Sequence, residues 1–217
     1  MADEKVKARR GCLFYGGLAA AVLLVAILIA ALAGLRLAKR VFNQFTDTQP
    51  IPMPAVQLSP AQIAAVQQRF ETFRDALRAH KPAPPLRLSA EDLNALLQSD
   101  PEFEAMKGKL YVTGIQDGQV TARISLPMEE AGLPVFKGRY LNAAATLKVS
   151  LRNGVLRIVP QAVSAKGRPL PNLYLEQVRK QNLAKNINSD PRVSVALDRL
   201  QSIEAKEGQL VIVPKEE

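Results

Sequence analysis

Residues 11–35 (GCLFYGGLAAAVLLVAILIAALAGL) form an apolar run that contains no charged side chain. A helix of about 20 apolar residues spans the hydrocarbon core of a bilayer. Such a helix also bonds every backbone amide internally, as a solvent without water requires. The sequence therefore predicts a single-pass transmembrane helix over residues 11–35, with Tyr15 near one membrane interface.

Basic residues flank this run on both sides. Four precede it and three follow it, namely Lys5, Lys7, Arg9, Arg10, Arg36, Lys39 and Arg40. The excess before the run favours an N-terminus inside the cell. A tail of ten residues also leaves the large C-terminal part as the exported portion. We expect residues 1–10 to be a cytoplasmic basic tail and the C-terminal domain to lie outside the cell membrane.

Signal-peptide cleavage is the alternative to an uncleaved anchor. Ala31-Leu32-Ala33 matches the small-residue rule for a cleavage site. However, the apolar run is longer than the hydrophobic region of a signal peptide, which spans about 7–15 residues. Arg36 would also follow the cut closely. The sequence favours an uncleaved anchor, and cleavage after Ala33 stays open at this point.

The net charge of +9 is unevenly distributed along the chain. Residues 1–40 hold seven of the 29 basic residues and two of the 20 acidic ones, so about half of the excess flanks the apolar run. The high pI therefore gives little support to nucleic-acid binding. Cys12 and His80 are the only cysteine and the only histidine. Because there is only one of each, a Cys/His metal cluster and an internal disulfide of the domain are excluded.

The C-terminal part reads as a linker followed by an α+β domain. Prolines alternate with other residues within residues 36–58, which predicts an extended linker before a domain over residues 59–217. Ser59-Pro60 provides an N-cap and a first-turn proline for a helix that extends to residue 79. Its apolar stripe consists of Ile63, Val66, Phe70, Phe73 and Leu77. A short strand at Leu86-Arg87-Leu88, a helix capped by Ser89 and a helical turn from Asp100 to Met106 follow.

Three two-residue turns predict β-hairpins, because such turns match the twist of adjacent antiparallel strands. The turns are Asp117-Gly118, Asn153-Gly154 and Glu207-Gly208. Each implied register pairs apolar residues: Ile115 with Val120, Tyr111 with Ile124, Leu151 with Leu156, Val149 with Ile158, Ala205 with Leu210, and Ile203 with Ile212. We expect an N-terminal transmembrane helix followed by one antiparallel sheet of all three hairpins. Helices near 172–185, capped by Asn172, and near 190–200 should cover the sheet.

The sequence contains no recognisable catalytic signature. It lacks GxSxG, HExxH, a phosphate-binding P-loop and GxGxxG. His80 has no neighbouring acid in its proline-rich stretch, and Glu129-Glu130 reads as solvated charge in a loop between hairpins. These observations predict a non-catalytic protein that holds no cofactor and no metal.

The strongest functional signal is a separation of charge. Residues 131–175 contain seven basic residues and no acidic one. In the predicted register of the second hairpin, Lys148, Arg152 and Arg157 project from the face opposite its apolar residues, and Lys166 and Arg168 follow. Such a face is either simply solvated or binds an anionic partner: lipid headgroups, a cell-envelope polymer or an acidic protein. Nucleic acid is disfavoured, because few aromatic residues are interleaved with these cations.

Two segments carry a resemblance to a known family. An N-terminal span, then Leu88–Leu97 (LSAEDLNALL), two hairpins and Lys166–Val178 (KGRPLPNLYLEQV) resemble the uncharacterised membrane-anchored proteins of the YpmS type. The motifs are short, but they occur in the same order over most of the domain. The resemblance implies a membrane-anchored extracytoplasmic domain and supplies no catalytic residues.

Three functions are compatible with the sequence. The leading hypothesis is an anchored binding or scaffold domain of the cell envelope. The second is a lipid- or amphiphile-binding module, whose cavity would be lined by Tyr111, Ile124, Leu147 and Ile158. The third is an enzyme without a recognisable motif, which would have a cleft that gathers Glu129, Glu130 or His80 with another titrating group.

Overall fold

The structure is a computed structural model that describes residues 42–130, 136–180 and 182–215, with scattered residues between Val25 and Arg40. The chain forms two compact units, Met1–Gln44 and Phe45–Glu217. The described residues of the first unit are helical, and their large apolar side chains at Val25, Ile27, Leu28, Ile29 and Leu37 are exposed. Within the described residues, no helix is both long and apolar enough for a membrane crossing. The predicted tail and most of the predicted membrane span lie outside the described residues.

The described residues of the larger unit form eight strands in two antiparallel sheets. The strands are β1 (Leu86–Ser89), β2 (Leu110–Gln116), β3 (Gln119–Pro127), β4 (Tyr140–Arg152), β5 (Val155–Ala165), β6 (Arg168–Pro169), β7 (Leu200–Lys206) and β8 (Gln209–Pro214). One sheet has the order β2-β3-β4-β5-β6, and the other has the order β1-β8-β7. The fold is therefore mixed α/β with antiparallel sheets, as predicted.

The prediction of one sheet for all three hairpins is wrong. The free edge of β8 pairs with β1, where Leu86 lies opposite Ile212 and Leu88 opposite Leu210. The hairpin β7–β8 then packs against β4 and β2 without joining their sheet. Turn chemistry specifies each hairpin locally, but it does not determine which edge a distant strand occupies.

The three predicted turns all form as tight hairpin turns. In each turn both residues have a positive φ, for example 52° at Asn153 and 74° at Gly154. Five of the six predicted pairs are confirmed. The exception is Tyr111, which lies opposite Arg123 instead of Ile124, because the register shifts between Val112 and Gly114. This bulge turns Tyr111 away from the apolar face of the hairpin.

Helices follow the predicted order with shorter C-terminal segments. They are α1 (Pro60–Arg78), α2 (Ala90–Ser99), a 3-10 helix (Pro101–Met106), α3 (Asn172–Arg179), α4 (Lys185–Ser189) and α5 (Pro191–Leu197). Ser59 caps α1 in a capping box with Gln62, and Ser89 caps α2 in one with Asp92. The predicted cap Asn172 is instead the first residue of α3, and no side-chain cap is formed there.

The core lies between the two sheets and the first two helices. One buried cluster joins α1, β1, α2, α5 and β7 to the hairpin end of β4. A second cluster contains Val112, Ile115, Val120 and Ala205. Half-buried Val149 packs against both clusters, so the apolar interior is continuous. The other face of the five-stranded sheet points away from this core; we call it the outer face.

Candidate functional site

The second hairpin places its cations as the sequence predicts. Lys148 lies opposite Val159, Ser150 opposite Arg157, and Arg152 opposite Val155. Residues that lie opposite one another project from the same face of a sheet. Lys148, Arg152 and Arg157 therefore share the outer face, and all three are exposed. The apolar residues Val149, Leu151 and Leu156 of the same strands project from the opposite face and pack in the core.

Strand β3 adds a fourth cation to the outer face. Arg123 is exposed and lies opposite Ala144 of β4 on one side and Tyr111 of β2 on the other. The sequence did not reveal this residue as part of the site, because the hairpin signals do not show that β3 lies beside β4. Together, Arg123, Lys148, Arg152 and Arg157 form what we call the basic face.

The basic face has no ion-pair partner among the described residues. Within the described residues, these four side chains form no ion pair within 4.0 Å and no hydrogen bond. Strands β2–β5 contain no aspartate or glutamate at all. Cations of α1 are paired by contrast: Arg69 lies 3.2 Å from Asp92. An array of uncompensated cations creates a positive surface potential that attracts anions.

The other two predicted cations occupy a different place. Lys166 donates from Nζ to the carbonyl oxygen of Thr46 (2.7 Å) and to Oδ1 of Asp47 (2.8 Å). Lys166 is thus engaged with the chain's own carboxylate, and its predicted role in binding an anionic partner stays a prediction. Arg168 lies in β6 next to this contact, and its side chain is exposed. Lys166 and Arg168 are separate from the basic face because they follow the last residue of β5, at the opposite end of the sheet.

Lys166 belongs to a polar cluster, which we call the tether clamp, that fastens the start of the domain. Asp47 and Tyr140 exchange backbone hydrogen bonds of 2.9 and 2.8 Å. Arg139 donates to the hydroxyl and carbonyl oxygens of Thr46, both at 2.7 Å. Hydrogen bonding to Lys166 lowers the pKa of Asp47 most strongly, and the hydrogen bond from Asn142 lowers it further against the opposing effect of burial.

Asn142 extends the tether clamp along the next residues. Its Nδ2 donates to Oδ2 of Asp47 (3.1 Å) and to the carbonyl oxygen of Gln49 (2.9 Å). Its Oδ1 accepts from the backbone of Ile51 (3.3 Å) and from the Ser125 hydroxyl (2.8 Å). Ser125 and Asn142 are buried, which makes such bonds costly to lose. Residues 46–51 therefore lie against the sheet, and the compact unit begins at Phe45, within the predicted linker.

A second polar arrangement closes the open edge of β5. The backbone of Leu156 bonds to both polar atoms of the Asn188 side chain, at 3.0 and 2.8 Å. Asn182 accepts from the backbone of Ile158 (3.1 Å), and Arg179 donates to the carbonyl oxygen of Pro160 (3.3 Å). We call the described part of residues 168–188 the edge cover. It occupies an edge that would otherwise pair with other strands.

The titratable residues Glu129, Glu130 and His80 have different partners in the structure. Glu129 accepts from the backbone of Gly138 (3.1 Å), whereas Glu130 pairs with Lys109 (2.7 Å). His80 contacts Arg199 at the C-terminal end of α1. Among the described residues, no group of three or more His, Cys, Asp or Glu side chains could hold a metal ion.

The predicted lipid cavity does not form in the predicted way. Tyr111 lies on the outer face, whereas Ile124, Leu147 and Ile158 point to the opposite face. These four side chains therefore cannot line one cavity. The structure instead has an open groove of about 670 Å³ between α1 and residues 82–87.

Comparisons with protein-family models, with curated proteins and with solved structures found no match for this chain. The resemblance to YpmS-type proteins stays a prediction.

Proposed function

We propose that this protein is a non-catalytic binding or scaffold domain of the cell envelope. Residues 11–35 anchor it in the cell membrane as a single transmembrane helix, with the N-terminus inside and the domain outside. The absence of charge over that stretch supports the anchor, as do the exposed apolar side chains at its described helical positions, such as Leu28.

The basic face is the observation that carries the binding role. Four exposed cations project from three adjacent strands that contain no acidic residue. Folding gains little from such an arrangement, because like charges repel and no partner offsets them. An anionic partner offsets this repulsion, and it is a lipid headgroup, an envelope polymer or an acidic protein.

Two other functions have less support. A lipid- or amphiphile-binding module would use the groove along α1, whose walls include Phe73, Ala76 and Pro84. This groove is open to solvent, whereas a lipid-binding site encloses most of its ligand. An enzyme would need a cleft that gathers Glu129, Glu130 or His80 with another titrating group. These three residues instead contact Gly138, Lys109 and Arg199, respectively.

A charge-matched pair of variants tests the binding role. In the first, Lys148, Arg152 and Arg157 are replaced by glutamine. In the second, the exposed cations Lys81, Lys206 and Lys215 are replaced instead, which gives the same net charge. Each full-length chain is reconstituted in nanodiscs of neutral lipid and exposed to immobilised anionic vesicles, polyphosphate or polyglutamate at low and moderate salt.

The expected loss can be estimated for the vesicles. Attraction to an anionic surface contributes about 1 kcal/mol per basic residue. Loss of three such contacts weakens binding by about two orders of magnitude, at 1.4 kcal/mol per decade. The variant of the basic face should lose binding to at least one probe, while the control variant retains most of it. Equal binding by the two variants to every probe would mean that the basic face is only solvated charge and binds no anionic partner.

A further inference from the structure

The larger unit exposes several large apolar side chains, and four of the seven that are described lie in the edge cover. Among its described residues they are Met106, Val155, Leu173, Tyr174, Leu183, Ile187 and Val195. Most of them belong to the edge cover or lie next to it. Leu173 is 71 % exposed, more than any other large apolar residue that is described. Concentrated apolar exposure on a soluble domain commonly marks a contact surface.

Leu173 and Tyr174 lie near the place where the chain enters the domain. They stand in the first turn of α3, a few residues after β6. Strand β6 pairs with the end of β5 at Ser164 and Ala165. The turn between these strands contains Lys166, which holds Thr46 and Asp47 in the tether clamp. The exposed apolar pair and the tether clamp therefore occupy the same end of the five-stranded sheet, which we call the tethered end.

The tethered end also carries cations. Lys137 lies beside Arg139 of the tether clamp, and Arg168 follows the Lys166 turn; both are exposed. Within the described residues neither forms an ion pair. An exposed leucine, an exposed tyrosine and uncompensated cations are the residue types that lie at the interface of an anionic membrane.

Chain length limits how far the tethered end can be from the membrane. Eleven residues lead from Leu35, the end of the apolar run, to Thr46. They span at most about 40 Å when fully extended and about 16 Å as a helix. The described residues 42–45 are helical, which shortens the reach further. Strand β4 extends from Asn142 of the tether clamp to Arg152, roughly 33 Å away.

We propose that the tethered end rests on the anionic surface of the membrane that holds residues 11–35. Leu173 and Tyr174 insert at the level of the headgroups, and Lys137 and Arg168 lie beside lipid phosphates. This inference rests on the proposed membrane anchor. A bilayer is a better match for this surface than a peptide ligand. The apolar pair projects from a convex eight-residue helix, whereas a groove that could hold a peptide lies elsewhere, along α1. Arg152 and Arg157, at the far end, then remain accessible to a partner in the surrounding medium.

Tryptophan substitution tests this placement, since the chain contains no tryptophan. Leu173→Trp reports on the tethered end, and Leu28→Trp reports on the anchor. Val195→Trp is the matched control: its side chain is 54 % exposed, and it lies three residues before Asp198. Asp198 lies next to Gly154 at the far end of β4. Each full-length variant is reconstituted in nanodiscs of anionic lipid, with and without brominated acyl chains.

We expect Leu28→Trp and Leu173→Trp to be blue-shifted and quenched by brominated lipid, and Val195→Trp to be neither. Replacing Lys137 and Arg168 by glutamine should reduce quenching of Leu173→Trp in anionic lipid. If Leu28→Trp is quenched but Leu173→Trp behaves like Val195→Trp, the anchor stands and the inference is overturned. Equal quenching of Leu173→Trp and Val195→Trp would also overturn it. If Leu28→Trp is not quenched, the proposed anchor fails and the inference fails with it.

Discussion

Lys166 places its ammonium group 2.8 Å from the carboxylate of Asp47, although the two residues are far apart in the sequence. This contact fixes the start of the domain to the turn between β5 and β6. The sequence predicts an extended linker here, but Thr46 and Asp47 form a set of hydrogen bonds with the sheet. The path of residues 46–51 along the sheet therefore depends on a few polar groups, which makes it open to mutational tests.

The Asp47 carboxylate should make stability depend on pH in the acid range. Its pKa is lowered in the folded state, chiefly by Lys166, so the unfolded chain binds this proton more tightly. Its stabilising effect is therefore complete above the unfolded-state pKa of about 3.9 and is lost as the pH falls through the lower folded-state value. Denaturant midpoints between pH 7 and pH 2.5 should fall less steeply for Asp47→Asn than for the parent. At pH 7 the variant should be less stable by up to about 1 kcal/mol, because the pair is partly exposed.

The same pH dependence of stability in both proteins would contradict this account. If the parent and Asp47→Asn show the same pH dependence, the Asp47 carboxylate has the same pKa in the folded and the unfolded protein. Lys166→Gln provides an independent check, since it removes the largest cause of the lowered pKa and should flatten the same part of the profile.

Asn142→Ala should destabilise the domain more than Asp47→Asn. The substitution removes four hydrogen bonds and leaves the buried Ser125 hydroxyl without its partner. A buried polar group that loses its partner costs about 1–3 kcal/mol, so a loss of about 3 kcal/mol is expected. Urea denaturation measures the change, and limited proteolysis should show faster cleavage within residues 46–54. Asn186→Ala is the control, because that side chain is exposed; equal effects of the two substitutions would argue against the tether clamp.

Local sequence patterns predict the hairpins and much of the basic face. They do not predict pairings between residues that are far apart in the sequence. Ile115 faces Val120 because a two-residue turn sets the register between them. The same reasoning places Lys148, Arg152 and Arg157 together. The same reasoning fails farther from the turn. There, the bulge before Gly114 shifts the register and places Tyr111 on the outer face.

The tether clamp is the clearest case that the sequence does not reveal. Residues 46–54 combine prolines with polar residues, a composition that is typical of spacers. Nothing near them in the sequence indicates Arg139, Asn142 or Lys166 as partners. The pairing of β8 with β1 is equally distant along the chain. Each of these contacts depends on how complete elements pack, which a local pattern does not specify.

Two phenylalanines of α1 should differ in their contribution to stability. Phe73 is buried in the main apolar cluster, whereas Phe70 is half-buried and contacts Phe103 at a ring distance of 6.0 Å. Phe73→Ala should therefore cost about 3–5 kcal/mol, as for a buried aromatic residue. Phe70→Ala should cost less, because less of its surface is removed from water. An unchanged urea midpoint for Phe73→Ala would mean that α1 is not part of the core.

The predicted topology has a direct test. Alkaline phosphatase fused after Glu217 should be active, because this enzyme requires an exported location. A cytoplasmic reporter at the same position should be inactive. The reverse pattern would overturn the orientation. N-terminal sequencing of the mature protein should give the start of the chain, and a mature N-terminus at Gly34 would show that the run ending at Leu35 is cleaved after Ala33.

Two hairpin glycines provide a final prediction that separates backbone strain from crowding. Gly118 and Gly154 have nearly the same φ, 75° and 74°, but a Cβ at Gly118 would meet nothing within 4 Å. A Cβ at Gly154 would lie 2.0 Å from Oδ1 of Asp198, so this side chain must move. Gly118→Ala should cost about 1–2 kcal/mol from the left-handed backbone alone, and Gly154→Ala should cost more. In an Asp198→Ala background, the cost of Gly154→Ala should fall to that of Gly118→Ala. A cost that stays the same in both backgrounds would show that Asp198 does not pack against this turn.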